Sequence, residues 1–184
     1  MDEEALVSLA KRQSALKARD TFPPRLETSA ISPPLMAQSL SQIYVHLVFS
    51  TKGRAPCIRV ELQPRLHAYL AGTCAALRCD AVAVGGVADH VHILFRLAKT
   101  VCLSDAVKDI KVESSKWMKT EAKVAGFTWQ SGYGAFSVGA SQREEVIHYI
   151  RQQPEHHAQR GFQEEFRILL SRYGIAYDEA YVWD

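Results

Sequence analysis

Paired cysteines are missing from this sequence. Cys57, Cys74, Cys79 and Cys102 form no CxxC spacing, which excludes a zinc knuckle and a dithiol redox motif. Buried free thiols in a reducing compartment are the expectation. No apolar run approaches the ~20 residues that a membrane-crossing helix needs. The first residues, MDEEALVSLAKRQ, are acidic and lack an apolar leader core, which points away from secretion and towards the cytoplasm. A phosphate-cradling GxxxxGK(S/T) loop is also absent, so no nucleotide cofactor is expected. Charge of one sign is lacking too. Lys and Arg number 22 against 20 Asp and Glu, a net +2, which by itself marks no polyanionic partner.

Proline is scarce beyond the first 35 residues, and that scarcity divides the chain. Pro23–Pro24 and Pro33–Pro34 supply four of the seven prolines. Such a segment is extended and joins neither a helix nor a central strand. Residues 1–35 therefore read as an appendage and residues 36–184 as one domain, with Met36 a plausible natural start. From there the pattern is regular. QIYVHLVFS (42–50) alternates and reads as a strand. A helix follows over 59–78, with Pro64 tolerable only in its first turn. DAVAVGGV (80–87), loosened by Gly85 and Gly86, and HVHILFRL (90–97) form a hairpin. A helix begins at Leu103. GFTWQSGYGAFSV (126–138) reads as a strand with a glycine-broken centre. Ser141 and Glu144 suggest a capping box for a helix over 142–153. Phe162, Phe166, Leu169, Leu170 and Tyr173 mark a last helix that stops at Gly174. The order strand, helix, strand, strand, helix, strand is the split β-α-β unit of an α+β, ferredoxin-like (RRM-like) sandwich. Its antiparallel sheet carries helices on one face and leaves the other available, and two C-terminal helices follow.

Two features carry chemistry. In the helix from Leu103, Lys108, Lys111, Lys116 and Lys119 lie opposite the apolar side. A solvated face explains such a ridge, and so does a surface aimed at phosphates. In the strand 90–97, alternation puts His90 and His92 side by side, their Cα atoms ~6.7 Å apart, so both imidazoles can reach one ion. A partly exposed pair on an open sheet is the plain alternative. A metal site needs a third ligand and a reactive neighbour. The helix 142–153 offers both: Tyr149 and Gln153, four residues apart, stack on one edge of the stripe Val146, Ile147 and Ile150. Pro154 biases Gln153 away from helical angles. Should the helix end there, His156 or His157 is the substitute ligand. Tyr133 is the second candidate nucleophile, and His46, on the first strand, is a candidate for lining the site if that strand neighbours 90–97, with a structural role as the equal alternative.

The stretches QIYVHLVFSTKGRAP, DHVHILF, WQSGYGAFSV and EEVIHYIRQQPEHH, in that order, closely resemble the single-tyrosine HUH transposases of compact bacterial insertion sequences, including the TnpA-like and REP-associated tyrosine transposases. The resemblance runs from about Met36 to the C-terminus. It implies a divalent metal, Mg²⁺ or Mn²⁺, held by His90, His92 and Gln153, with Tyr149 as nucleophile. It implies a homodimer in which the tyrosine helix of one chain can complete the histidine site of the other. It also implies a substrate of single-stranded DNA beside an imperfect hairpin, cleaved through a 5′-phosphotyrosine and rejoined. Lys52, Arg54 and the lysine ridge are then candidates for backbone phosphates. The action is expected in the bacterial cytoplasm, at the nucleoid. Three alternatives stand beside it. Barrel hydrolases with an HxH metal site need ~250 residues and are excluded by length. A domesticated hairpin binder would bind without a covalent adduct, and a metal-free scaffold would show no metal dependence.

Overall fold

The computed structural model describes residues 39–157 and 161–183, and the appendage expected over residues 1–35 lies outside them. Strands β1 (Ile43–Ser50), β2 (Asp80–Gly86), β3 (His90–Leu97) and β4 (Gly134–Val138) form one sheet in the order β2-β3-β1-β4. Every pairing is antiparallel. Helix α1 (Gln63–Ala76) follows β1, α2 (Leu103–Thr120) follows β3, and α3 (Arg143–Arg151), α4 (Gln153–His157) and α5 (Phe162–Arg172) end the chain. This is the ferredoxin-like arrangement expected, with Pro64 in the first turn of α1.

Alternation along β1 and β3 divides their side chains between two cores. Leu47, Phe49, Val91, Ile93 and Phe95 meet Leu66 and Leu70 of α1 and Val107, Ile110 and Met118 of α2. Each of these fully buried side chains contributes ~1.5–3 kcal/mol. The opposite face is not available, as the sequence suggested, but covered. Tyr44, Leu94 and Val138 pack against Ile147 and Ile150 of α3, and Val48 and Phe136 pack against Phe162, Phe166, Leu169 and Leu170 of α5. The apolar stripe of α3 is thus spent on the chain's own sheet.

Three local expectations change. Of the strand expected over 126–138, only Gly134–Val138 pairs along β1. Trp129 makes an isolated bridge to Thr51, and its indole donates to Ser114 Oγ at 2.9 Å, so the side chain is satisfied without a ladder. Ser141 lies in a 3-10 turn, where Gln142 Oε1 accepts from the Gly139 N–H at 3.4 Å. The helix expected over 142–153 breaks at Gln152 (ψ 11°), and α4 restarts at Gln153 with Pro154 in its first turn, where a proline withholds no needed donor.

Gly85 sets how closely α3 approaches the sheet. A Cβ at this position would stand 2.3 Å from the backbone oxygen of Ile150 and 2.8 Å from its Cγ2. The closer of these contacts is with backbone, so rotating a side chain gives no relief. Gly85→Ala is expected to cost ~1–3 kcal/mol, the range for overpacking, and to lift the helix that carries Tyr149. Urea unfolding checks this, and an unchanged midpoint would show that α3 accommodates the methyl group.

Candidate metal and nucleophile site

β3 delivers His90 and His92 to the face beneath α3 and α5, and both are fully buried. The partly exposed pair does not occur, because the C-terminal helices close that face. Each imidazole is tied at Nδ1. His90 Nδ1 lies 2.7 Å from Asp89 Oδ1, and His92 Nδ1 lies 2.9 Å from His46 Nε2. Both Nε2 atoms therefore turn to the same side. His90 Nε2 lies 3.3 Å from Gln153 Oε1. Gln153 is itself fully buried, so the break at Gln152 leaves it within the site.

Glu165 of α5 stands at the centre of this group, and the sequence reading did not anticipate it. Its Oε1 accepts from the Tyr149 hydroxyl and from Gln153 Nε2 at 2.8 Å. Its Oε2 lies 2.8 Å from His157 Nε2. His90 Nε2 and His92 Nε2 stand 3.8 and 3.6 Å from the carboxylate. A signal was present in the sequence. Phe162, Glu165, Phe166 and Leu169 share one helical stripe, which puts a carboxylate on a core-facing side, a placement acidic residues rarely take unpaired.

The remaining candidates fall into place around this centre. The Tyr149 ring lies 5.8 Å from that of His92 and 6.1 Å from that of His46, so the structure brings His46 into the same cluster. Tyr133 is 41% exposed in the loop before β4. His157, one of the two substitute ligands, lies with its ring 4.4 Å from His90, while the side chain of His156 is outside the described residues. The basic residues stand elsewhere. Lys108, Lys111, Lys116 and Lys119 belong to α2, on the far side of the sheet from the histidines. Lys111, Lys116 and Lys119 border a groove of about 460 Å³ with Thr128 and Trp129. Lys52 lines a second groove of about 360 Å³, which also reaches Thr128. Lys108 is paired with Asp105 and Asp109 at 3.6 and 3.9 Å. Lys111 donates to the carbonyls of Gln130, Ser131 and Gly132 at 2.7–3.0 Å, so all its donors are engaged in holding that loop. The Arg54 guanidinium lies over the Trp183 ring, 5.9 Å from its centroid.

Burial dominates the electrostatics. It lowers the pKa of His46 to about 3, helped by the repulsion of His92 and opposed by Glu165. It lowers that of His92 to about 4, against the pull of Glu165. Both rings are neutral near pH 7, the state in which an imidazole binds metal. Burial pushes Glu165 up, but contacts with His157, His92 and Tyr149 outweigh it and hold the carboxyl below its ordinary range.

The donor set fits a divalent ion. Among the described residues, the buried Nε2 of His92 has no hydrogen-bond partner, so a lone pair there has nothing to accept. His90, His157 and Glu165 each offer a ligand atom, all within 4.8 Å of one another, a group able to hold a metal. Gln153 Oε1 adds an amide oxygen beside them.

The ferredoxin-like sheet thus carries a tyrosine-bearing helix over a pair of buried histidines. The profile of the IS200-like transposases matches residues 39–153, more than half of the chain, and the chain belongs to that family. A protein assigned as a transposase of Deinococcus radiodurans R1 is 22% identical, with a TM-score of 0.50, over 64% of this chain and 95% of its own. A REP-associated tyrosine transposase, solved bound to a REP hairpin, is 14% identical with a TM-score of 0.48, over 66% of this chain and 74% of its own. No curated protein matches the chain. Among the described residues, no helix is long and apolar enough to cross a membrane.

Proposed function

We propose that this transposase cleaves and rejoins single-stranded DNA through a 5′-phosphotyrosine on Tyr149. One observation supports the reading: the Tyr149 hydroxyl donates to Glu165, the same carboxylate towards which the Nε2 atoms of the buried His90 and His92 turn. His90, His92 and Gln153 would hold a divalent ion, Mg²⁺ or Mn²⁺, with Glu165 and His157 adjacent. Bound there, the ion supplies Lewis-acid polarisation and orientation of a scissile phosphate. The Tyr149 oxygen attacks phosphorus as it gives up its proton, its O–P bond forms as the bond to the 3′ oxygen breaks, and the leaving 3′ oxygen takes up a proton to become a free 3′-OH. The phosphodiester energy stays in the tyrosyl ester, so a second 3′-OH reverses the step on new DNA without a nucleotide cofactor.

The finer parts of the proposal follow from the family and the basic surface. The substrate is a single strand with hairpin ends, and the action takes place in the cytoplasm at the nucleoid. Lys52, Arg54, Lys108, Lys116 and Lys119 contact phosphates, which positions the strand without reading sequence. Lys111, its donors engaged, takes no part in this. Residues 1–35 are an appendage to the catalytic domain 36–184. The test is incubation with Mn²⁺ and 3′-labelled single strands that carry hairpins from the gene's own flanks. A protein-linked labelled band on a denaturing gel is expected, and no band with any such strand would sink the reading.

A homodimer is part of the proposal. β2 and β4 are the sheet's outer strands and offer unpaired backbone groups. Light scattering at micromolar concentration is expected to give about twice the mass of a single chain. A fully active monomer would refute this part alone.

A further inference from the structure

We infer that His46 is a positioning residue, one that fixes the tautomer of His92 so that a lone pair faces the metal. The inference rests on the reading of His92 as a ligand. A neutral imidazole has one N–H and one lone pair. For His92 to offer the lone pair at Nε2, its proton must sit on Nδ1. That nitrogen lies 2.9 Å from His46 Nε2, both rings being buried. His46 Nε2 must then accept, and the proton of His46 must sit on its own Nδ1. The choice made at the metal is thus passed through two rings to β1.

The partner of His90 is of another kind. Asp89, as a carboxylate, has only lone pairs to offer, so the bond at 2.7 Å leaves His90 one arrangement. His46 either donates or accepts, and the competing arrangement has a definite cost. With the proton of His92 on Nε2, the N–H points towards Glu165 Oε1, 3.6 Å away, and the lone pair is lost to the metal. The sheet leaves little room for a substitute. Val48 is the direct partner of His92, and His46 is its diagonal neighbour on the same face. His46 is 3% exposed, with the rings of Phe136 and Tyr149 each 6.1 Å away. A hydrocarbon at position 46 would leave the His92 N–H buried without an acceptor. Partners of this kind set the affinity of the ligand they orient by about ten- to a hundredfold.

The experiment uses the full chain with ¹⁵N-labelled histidine and Zn²⁺ as a diamagnetic probe of the donor set. Two-bond nitrogen–proton spectra report which ring nitrogen carries each proton. With Zn²⁺ bound, His92 is expected to show its proton on Nδ1 and a metal-shifted Nε2, with the proton of His46 on Nδ1. If His90 and His92 respond to Zn²⁺ while His46 carries its proton on Nε2, this inference is overturned and the metal site stands. If neither His90 nor His92 responds, both fall. Calorimetry with Mn²⁺ gives the second reading. His46→Leu is expected to weaken binding about ten- to a hundredfold, and His46→Gln, whose amide oxygen reaches as far as Nε2, to restore most of it. Equal affinity in wild type and His46→Leu would overturn the assignment. Weak binding in His46→Gln equal to that in His46→Leu would also overturn it, by reducing His46 to packing.

Discussion

Tyr149→Phe is expected to remove the covalent protein–DNA product entirely while leaving the fold, metal binding and hairpin affinity in place. The substitution deletes one oxygen and keeps the ring that packs beside His92 and His46. The hydroxyl is one of three groups that Glu165 gathers, and Gln153 and His157 remain to satisfy the carboxylate. The loss of a hydrogen bond to a charged group, about 1.5–3 kcal/mol, is therefore an upper bound on the stability cost. The chemical cost has no such bound, because a phenyl ring has no nucleophile. Denaturing gels with 3′-labelled single strands separate the outcomes. A band that persists in Tyr149→Phe and vanishes in Tyr133→Phe would move the nucleophile to the loop before β4. Hairpin binding without any band in wild type would make the chain a domesticated binder.

Removing a metal imidazole is expected to be as complete. His90→Ala and His92→Ala should each abolish cleavage, and EDTA should do the same to wild type. Two imidazoles shift preference from magnesium, which favours all-oxygen shells, towards manganese, so Mn²⁺ should support cleavage at least as well as Mg²⁺. Binding to the folded state alone also stabilises it, by about 2.7 kcal/mol when free metal is a hundred times its dissociation constant. Thermal unfolding should therefore shift upward with Mn²⁺ in wild type and stay put in either alanine variant. Full cleavage in EDTA would refute the site. An equal thermal shift in the alanine variants would place the metal elsewhere.

Both predictions use residues legible in the sequence, and what was not legible has a common cause. Period-two alternation gave β1 and β3 their faces, and a one-residue error would have reversed them, so His90 and His92 were secure as a pair. Tyr149 and Gln153 followed from helical spacing, even though the helix between them breaks at Gln152. The full burial of Gln153 and the two histidines was not legible, because it depends on α5 returning across the sheet, a long-range packing event that no local pattern encodes. The same return brings Glu165 to the histidines from far along the chain. Within α5 it reads as one more acidic residue in FQEEF, conspicuous only for the stripe it shares. His46 was visible as a neighbour of the site, but its bond to His92 required the register of β1 on β3.

The position of Glu165 has a consequence for the order in which ligands arrive. On the proposed reading, a scissile phosphate would bring a second anion beside the Glu165 carboxylate. Two negative charges about 4 Å apart repel by about 4 kcal/mol at an effective dielectric of 20. A divalent cation between them turns that repulsion into attraction on both sides. Metal and DNA are therefore expected to bind with positive coupling, each raising the affinity for the other by the same factor. Without metal, a strand offered to this site is expected to be repelled by Glu165, which would keep the tyrosine from stray phosphodiesters.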